Sequence, residues 1–171
     1  MLTLIFSRLS LPRLLLLLAL ASAAILSGAL IGQYGFELFP CHLCLLQRYP
    51  YMAIIALGGV GALLVKDGRI QWWLTAACAV LFAVDAGIAI YHTGVEMGIF
   101  TGPSGCTSSG KTGMTLEEIR AEIMGAPLVS CDQAMAYIFG LSMAAWNAIA
   151  ATLLAIFSAL ALRHFKPKAA A

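Results

Sequence analysis

Two cysteines three positions apart, in Pro40-Cys41-His42-Leu43-Cys44-Leu45-Leu46-Gln47-Arg48, carry the clearest chemistry in the chain. C-x-x-C is the spacing of redox-active dithiols, which act as nucleophiles because their thiolates form at lowered pKa. If the segment is helical, Cys41, Cys44 and Arg48 fall on one face at i, i+3 and i+7. Pro40 suits the first turn of such a helix, whose N-terminus carries partial positive charge. That dipole and the Arg48 guanidinium would both stabilise a thiolate, although Arg48 also suits a plain interfacial anchor. Pro50 disfavours helical geometry at the residue before it, which predicts a kink or break at Tyr49. The same cysteines would also serve as a zinc half-site completed by Cys106, Cys131, His42 or His92. No second C-x-x-C is present and those donors are single and scattered, so no metal is expected. Haem attachment is excluded because the histidine follows the first cysteine, not the second.

A second motif points elsewhere. Gly105-Cys106-Thr107-Ser108-Ser109-Gly110-Lys111-Thr112 satisfies the phosphate-binding pattern G-x-x-x-x-G-K-[ST]. A phosphate cradle needs a preceding strand and a helix opening at the Lys-Thr step. Here the upstream residues leave an apolar span, and the next helix signal begins only at Thr115. No nucleotide is therefore expected, and the glycines read as slack around Cys106.

The elements that must position these residues are membrane spans. The chain has 171 residues, 61% hydrophobic and 11% charged, with a mean hydropathy of +0.93. A soluble domain is nearer ~45–50% apolar and ~25% charged. A net charge of +2 without any Lys/Arg run gives no sign of a nucleic-acid partner. Leu14–Phe36 and Tyr49–Val65 carry no charge, Ile70–Tyr91 carries only Asp85, and Gln133–Leu162 is uncharged. A spanning helix needs roughly 20 apolar residues, which places four spans near 14–34, 49–65, 70–91 and 141–162. Small residues after Leu18 resemble a signal-peptide cleavage site, but the apolar run continues well beyond them, so a retained helix is expected. The fold class expected is an all-α integral membrane protein, a single domain over 1–171. Its loops, near 35–48 and 92–140, face one side.

Charge sets the sidedness. Arg8, Arg13, Lys66, Arg69, Arg163, Lys166 and Lys168 lie on one face, which the positive-inside rule makes cytoplasmic together with both termini. Cys41, Cys44, Cys106 and Cys131 then share the outer face, two per loop, where disulfides persist. A bond between Cys106 and Cys131 would contribute on the order of 3 kcal/mol by loop closure. As part of a glycine-rich exposed loop it reads either as a staple or as an exchanging disulfide. Between them, Thr115-Leu116-Glu117-Glu118 fits a capping box, and Leu116, Ile119 and Ile123 form an apolar stripe, predicting a short amphipathic surface helix. Cys78 reads as a small core residue. His92 alone reads as an interfacial polar residue, and Asp85 either as part of a proton or ion path or as a side chain reaching interfacial water.

Three stretches together resemble a known family: Pro40–Arg48, Tyr91–Cys106 (YHTGVEMGIFTGPSGC) and Ser130–Asn147 (SCDQAMAYIFGLSMAAWN). They are similar to the bacterial disulfide bond formation protein B (DsbB) family of quinone-coupled thiol oxidases, the system known for keeping the periplasm oxidising. The resemblance implies an inner-membrane oxidoreductase that reoxidises a periplasmic thioredoxin-like (DsbA-like) dithiol oxidase. Cys106–Cys131 would meet that partner, with Cys106 forming the mixed disulfide and Cys131 pairing transiently with Cys41. Cys44 would pass electrons to ubiquinone or menaquinone, with Arg48, His92 and Met143 around it. The competing expectation is a non-enzymatic four-helix membrane protein stapled by disulfides. His42, at a variable position between the cysteines, departs from any fixed family pattern.

Overall fold

A computed structural model of the chain describes residues 9–103 and 130–165. Among these, four helices are long and apolar enough to cross a membrane, and they form a four-helix membrane bundle. The amphipathic helix expected near Thr115 lies outside the described residues, as do Cys106 and the Gly105–Thr112 motif.

Helix α1 spans Leu11–Gly35, with proline in its first turn, where the missing N–H costs nothing. Its 25 residues reach about 37 Å at 1.5 Å per residue, enough for a ~30 Å hydrocarbon core. It ends where Glu37 takes a positive φ of 56°, and the Leu38 N–H returns to the Gly32 carbonyl at 3.1 Å. That reversal carries Pro40 and Cys41 back over the bundle. The short α2, His42–Leu46, and α3, Arg48–Leu63, follow with Gln47 between them. The break expected at Tyr49 is therefore at Gln47, and Tyr49 is helical. Pro50 explains the shift: its ring collides with the carbonyl four residues back, that of Leu46, and it has no N–H to offer there.

Helix α4 runs Gly68–Glu96, capped by Asp67, whose carboxylate accepts the Arg69 N–H at 2.7 Å. It continues past Tyr91, so His92 rides on a helix and not in a loop. Tyr137–Ile138 (β1) and Leu141–Ser142 (β2) make a hairpin inside the uncharged run before the last span. Its central residues Phe139 and Gly140 both have positive φ, 51° and 81°, as a two-residue hairpin turn requires. Ser142 then caps α5, Met143–His164, by accepting the Ala145 N–H.

Helix α4 packs mainly on α5 and α1 on α3. Leu14, Leu15 and Leu18 of α1 join Tyr51, Ile54, Phe82 and Ala161 in one buried core. Because lipid is as apolar as the helices, close packing has to hold them together. Gly58 shows how close: a Cβ there would stand 2.7 Å from the Leu15 carbonyl oxygen. The outward surface is apolar, with Ile31, Trp73, Val80 and Leu153 all more than half exposed, as a lipid-facing surface should be.

Candidate functional site

Cys41 is the N-cap of α2 and is 3% exposed. Its Sγ accepts the Cys44 backbone N–H at 3.4 Å and lies 3.1 Å from the Cys44 sulfur, within hydrogen-bond distance. His92 Nε2 of α4 stands 3.5 Å from the same sulfur. The Cys44 thiol hydrogen bond, opposed by burial and aided by His92, lowers the Cys41 pKa from 9.0 to about 4. Cys41 is thus a thiolate at neutral pH, held by donors aimed at an N-cap sulfur.

Cys131 is fully buried and disulfide-bonded, whereas Cys41, Cys44 and Cys78 are free. It packs in one cluster with Cys41, Leu43 and Val95, with Cys44 and Tyr91 against it. The exposure expected for this disulfide is therefore overturned at its Cys131 end. The sulfur sits beside the C-x-x-C, not out in a loose loop.

On the other side of Cys44 lies a cavity of about 320 Å³. Cys44, Arg48 and Met143 line it, together with Leu38, Ile138 and Trp146. Arg48 Nη1 donates to Gln33 Oε1 of α1 at 2.7 Å, so the guanidinium is fixed at the cavity wall. Cys41 and His92 are not in that wall. Cys44 alone belongs to both the thiol pair and the cavity.

A buried polar layer connects the sulfurs to the bundle interior. Gln47 Nε2 lies 3.2 Å from His92 Nδ1, and Asn147 Nδ2 donates to Gln47 Oε1 at 3.0 Å. The same Asn147 nitrogen donates to Asp85 Oδ2 at 3.1 Å, and Tyr51 donates its hydroxyl to Asn147 Oδ1 at 2.5 Å. Asp85 is completely buried. It does not reach interfacial water.

The sequence profile described as "Disulfide bond formation protein DsbB" matches residues 12–161. The chain belongs to the DsbB family. It is a multi-pass membrane protein of a family that forms disulfide bonds. A Rickettsia prowazekii protein, "Uncharacterized protein RP370", is 29% identical over 90% of this chain and 87% of its own length. "Disulfide bond formation protein B" of Burkholderia ambifaria is 36% identical over 50% of the chain and 49% of its own length. "Disulfide bond formation protein B 1" of Burkholderia lata is 38% identical over the same shares. The match thus spans about half of the Burkholderia relatives. No solved structure matches the chain.

The residues picked out from sequence fall into two groups around Cys44. Cys41, Cys44, His92 and Cys131 gather on the sulfur side; Arg48 and Met143 stand in the cavity with Cys44. Cys106 lies outside the described residues. Arg48 is not among the donors at Cys41, because the break at Gln47 separates α2 from α3 and the guanidinium turns to Gln33. His92, which the DsbB resemblance sets near the acceptor, stands 3.5 Å from the Cys41 sulfur. The sulfurs of Cys41 and Cys44 and a His92 ring nitrogen lie within 4.8 Å of one another, a spacing that also suits a soft metal ion. Gln47, Tyr51 and Asn147 belong to the buried polar layer, although no sequence motif assigns them a role. Polar side chains inside a span were the available signal, since each must find a partner there.

Proposed function

We propose that the chain is a quinone-dependent protein thiol oxidase of the bacterial inner membrane, with its cysteine loops in the periplasm and both termini cytoplasmic. The observation that carries this reading is the double placement of Cys44, 3.1 Å from the Cys41 sulfur and in the wall of a 320 Å³ cavity. That cavity suits a quinone ring and the start of its tail: mostly apolar walls, with Arg48 as a fixed cation and Tyr51 and Asn147 as hydrogen-bonding groups. Ubiquinone and menaquinone both satisfy it. Either supplies an acceptor for two electrons and two protons.

The residues would then work as follows. A thiolate of a thioredoxin-like partner dithiol attacks the Cys106–Cys131 disulfide at Cys106, forming a mixed disulfide and releasing the Cys131 sulfur. Cys131, packed in the Cys41 cluster, attacks the Cys41–Cys44 disulfide at Cys41 and frees Cys44 as thiolate. The partner's second thiolate breaks the mixed disulfide and leaves the partner oxidised. Cys106 then attacks the Cys41–Cys131 bond, restoring Cys106–Cys131 and leaving Cys41 and Cys44 reduced. Forming the Cys41–Cys44 bond again, from the Cys41 thiolate and the Cys44 thiol, releases two electrons and one proton toward the cavity through Cys44, and the second proton the acceptor takes comes from water. Arg48 stabilises negative charge developing there, and donors at Cys41 make it a stable leaving sulfur.

The test is steady-state oxidation of a reduced thioredoxin-like protein by the purified chain with added quinone. Wild type is expected to turn over and Cys44→Ala to be inactive. Unchanged turnover in Cys44→Ala would eliminate the proposed electron path, and absence of turnover in wild type would favour a stapled, non-enzymatic bundle.

A further inference from the structure

The thiol chemistry leaves one buried ionisable group unused. Asp85 is completely buried in α4; the Tyr51 hydroxyl also interacts with its carboxylate, but its Oδ1 makes no close hydrogen bond among the described residues. Its other oxygen begins a chain of hydrogen bonds that ends at Cys41, and each link has a direction.

A carboxylate only accepts hydrogen bonds, and a primary amide has two N–H donors and one carbonyl acceptor. Asn147 Nδ2 uses its two hydrogens on Asp85 Oδ2 and Gln47 Oε1, at 3.1 and 3.0 Å, while its Oδ1 takes the Tyr51 hydroxyl. Turning this amide over would set its oxygen against two acceptor oxygens in a buried site. With Oε1 of Gln47 taken by Asn147, the Gln47 group facing His92 is the NH2, 3.2 Å from Nδ1. An amide nitrogen cannot accept, so Nδ1 must present its lone pair and the ring proton must sit on Nε2. The surroundings of Nε2 agree independently. It faces two acceptors, Cys41 Sγ at 3.5 Å and Glu96 Oε1 at 3.8 Å.

We propose that Asp85 is a positioning residue, which through Asn147 and Gln47 fixes the His92 tautomer and directs its Nε2–H at Cys41. Tyr51 cannot set this direction, because a hydroxyl both donates and accepts. Asp85 can, as the acceptor-only end of the chain. A carboxylate that orients a histidine by a direct hydrogen bond is a familiar device. Here the orientation passes through two amides, and the ring serves a sulfur. The groups able to disturb it are those facing the ring and its relay: Cys41 and Cys44 from α2 and its cap, Glu96 and Asp85 from α4, and Tyr51 from α3. The catalytic consequence rests on the thiol-oxidase reading, but the tautomer does not.

The experiment is nitrogen-15 NMR of the full-length reduced protein labelled at histidine in lipid nanodiscs, with His92 assigned by its loss in His92→Ala. Wild type is expected to show Nδ1 bare and Nε2 protonated. Gln47→Glu replaces the donor facing Nδ1 with an acceptor, so it should invert the ring to Nδ1–H. Asp85→Asn, which accepts or donates equally, should populate both tautomers. In Asp85→Asn the midpoint of Cys41 alkylation against pH should also rise by about one unit, a tenfold loss of thiolate below both midpoints. Nδ1–H in the wild-type protein overturns the proposal, as does a single wild-type tautomer in Asp85→Asn. The wild-type spectrum decides even if a variant does not fold. Correct tautomers without quinone turnover would leave this proposal standing and remove the oxidase reading; turnover with Nδ1–H would do the reverse.

Discussion

Cys78 and Cys41 are both free and both buried, at 0% and 3% exposure, yet they occupy opposite kinds of surroundings. Cys78 sits in α4 within the core of Leu14, Leu18, Ile54 and Phe82. Cys41 sits at the cap of a five-residue helix, with a backbone N–H, a thiol and an imidazole nitrogen within 3.5 Å. Burial alone disfavours a thiolate, because it removes water without replacing it. What separates the two cysteines is the set of donors. The same contrast divides the bundle, whose one end is held by close apolar packing and the other by a polar layer that meets the sulfurs.

The contrast breaks most visibly if the two cysteines respond alike to mutation. Cys41→Ser is expected to abolish quinone-dependent thiol oxidation, while Cys78→Ala leaves the turnover number near wild type, as a quinone-reduction assay will read. Equal losses would show that position in the donor set is irrelevant.

Next in size is the effect on acidity. Alkylation of Cys41 in the reduced protein, followed by peptide mass spectrometry, should be flat from about pH 6 to 8 and fall as pH drops toward 4. An ordinary thiol would instead lose its thiolate on descending through 9.0. Since the folded value lies below the ordinary one, folding favours the ionised form. That contribution to stability is complete above pH 9 and fades as pH falls toward 4. In Cys44→Ala the main donor is gone, and the alkylation midpoint should move up.

Arg48→Ala sharpens the division between sulfur side and cavity side. It should raise the KM for quinone, roughly tenfold for a lost charged hydrogen-bonding group worth ~1.5 kcal/mol. The Cys41 alkylation profile should stay as in wild type, because Arg48 pairs with Gln33. An altered profile with unchanged quinone kinetics would reverse the assignment.

The smallest effect on chemistry belongs to the packed end. Gly58→Ala places a Cβ 2.7 Å from the Leu15 carbonyl oxygen and should cost about 1–3 kcal/mol, read as a lower thermal midpoint. Cys41 acidity should not change. If it does, the two ends are coupled more tightly than their separate cores suggest.

Much of this was legible in the residues. Three uncharged runs and one carrying only Asp85 announced the spans, because hydrocarbon tolerates little else, and C-x-x-C announced a redox dithiol. Pro40, expected in the first turn, precedes the helix, and Cys41 takes the cap. Pro50 announced a break but not its place, since the collision falls on the carbonyl of Leu46 and not on Tyr49. The hairpin at 137–142 was hidden because its two-residue strands sit in an uncharged run continuous with the next span. The polar layer was least legible. Gln47, Asp85, His92 and Asn147 come from two helices, α4 and α5, and the α2–α3 junction, and only the fold decides which amide faces which ring. The burial of Cys131 depended likewise on α2 and α4 meeting beside it.

The most direct test of the central claim is to trap thiols in the fully reduced Cys106→Ala/Cys131→Ala protein without oxygen, before and after one equivalent of quinone. Cys41 and Cys44 are expected to lose their alkylation together and form one disulfide, with one quinone reduced per chain and Cys78 still free. Alkylation of Cys41 and Cys44 unchanged by quinone would contradict that claim.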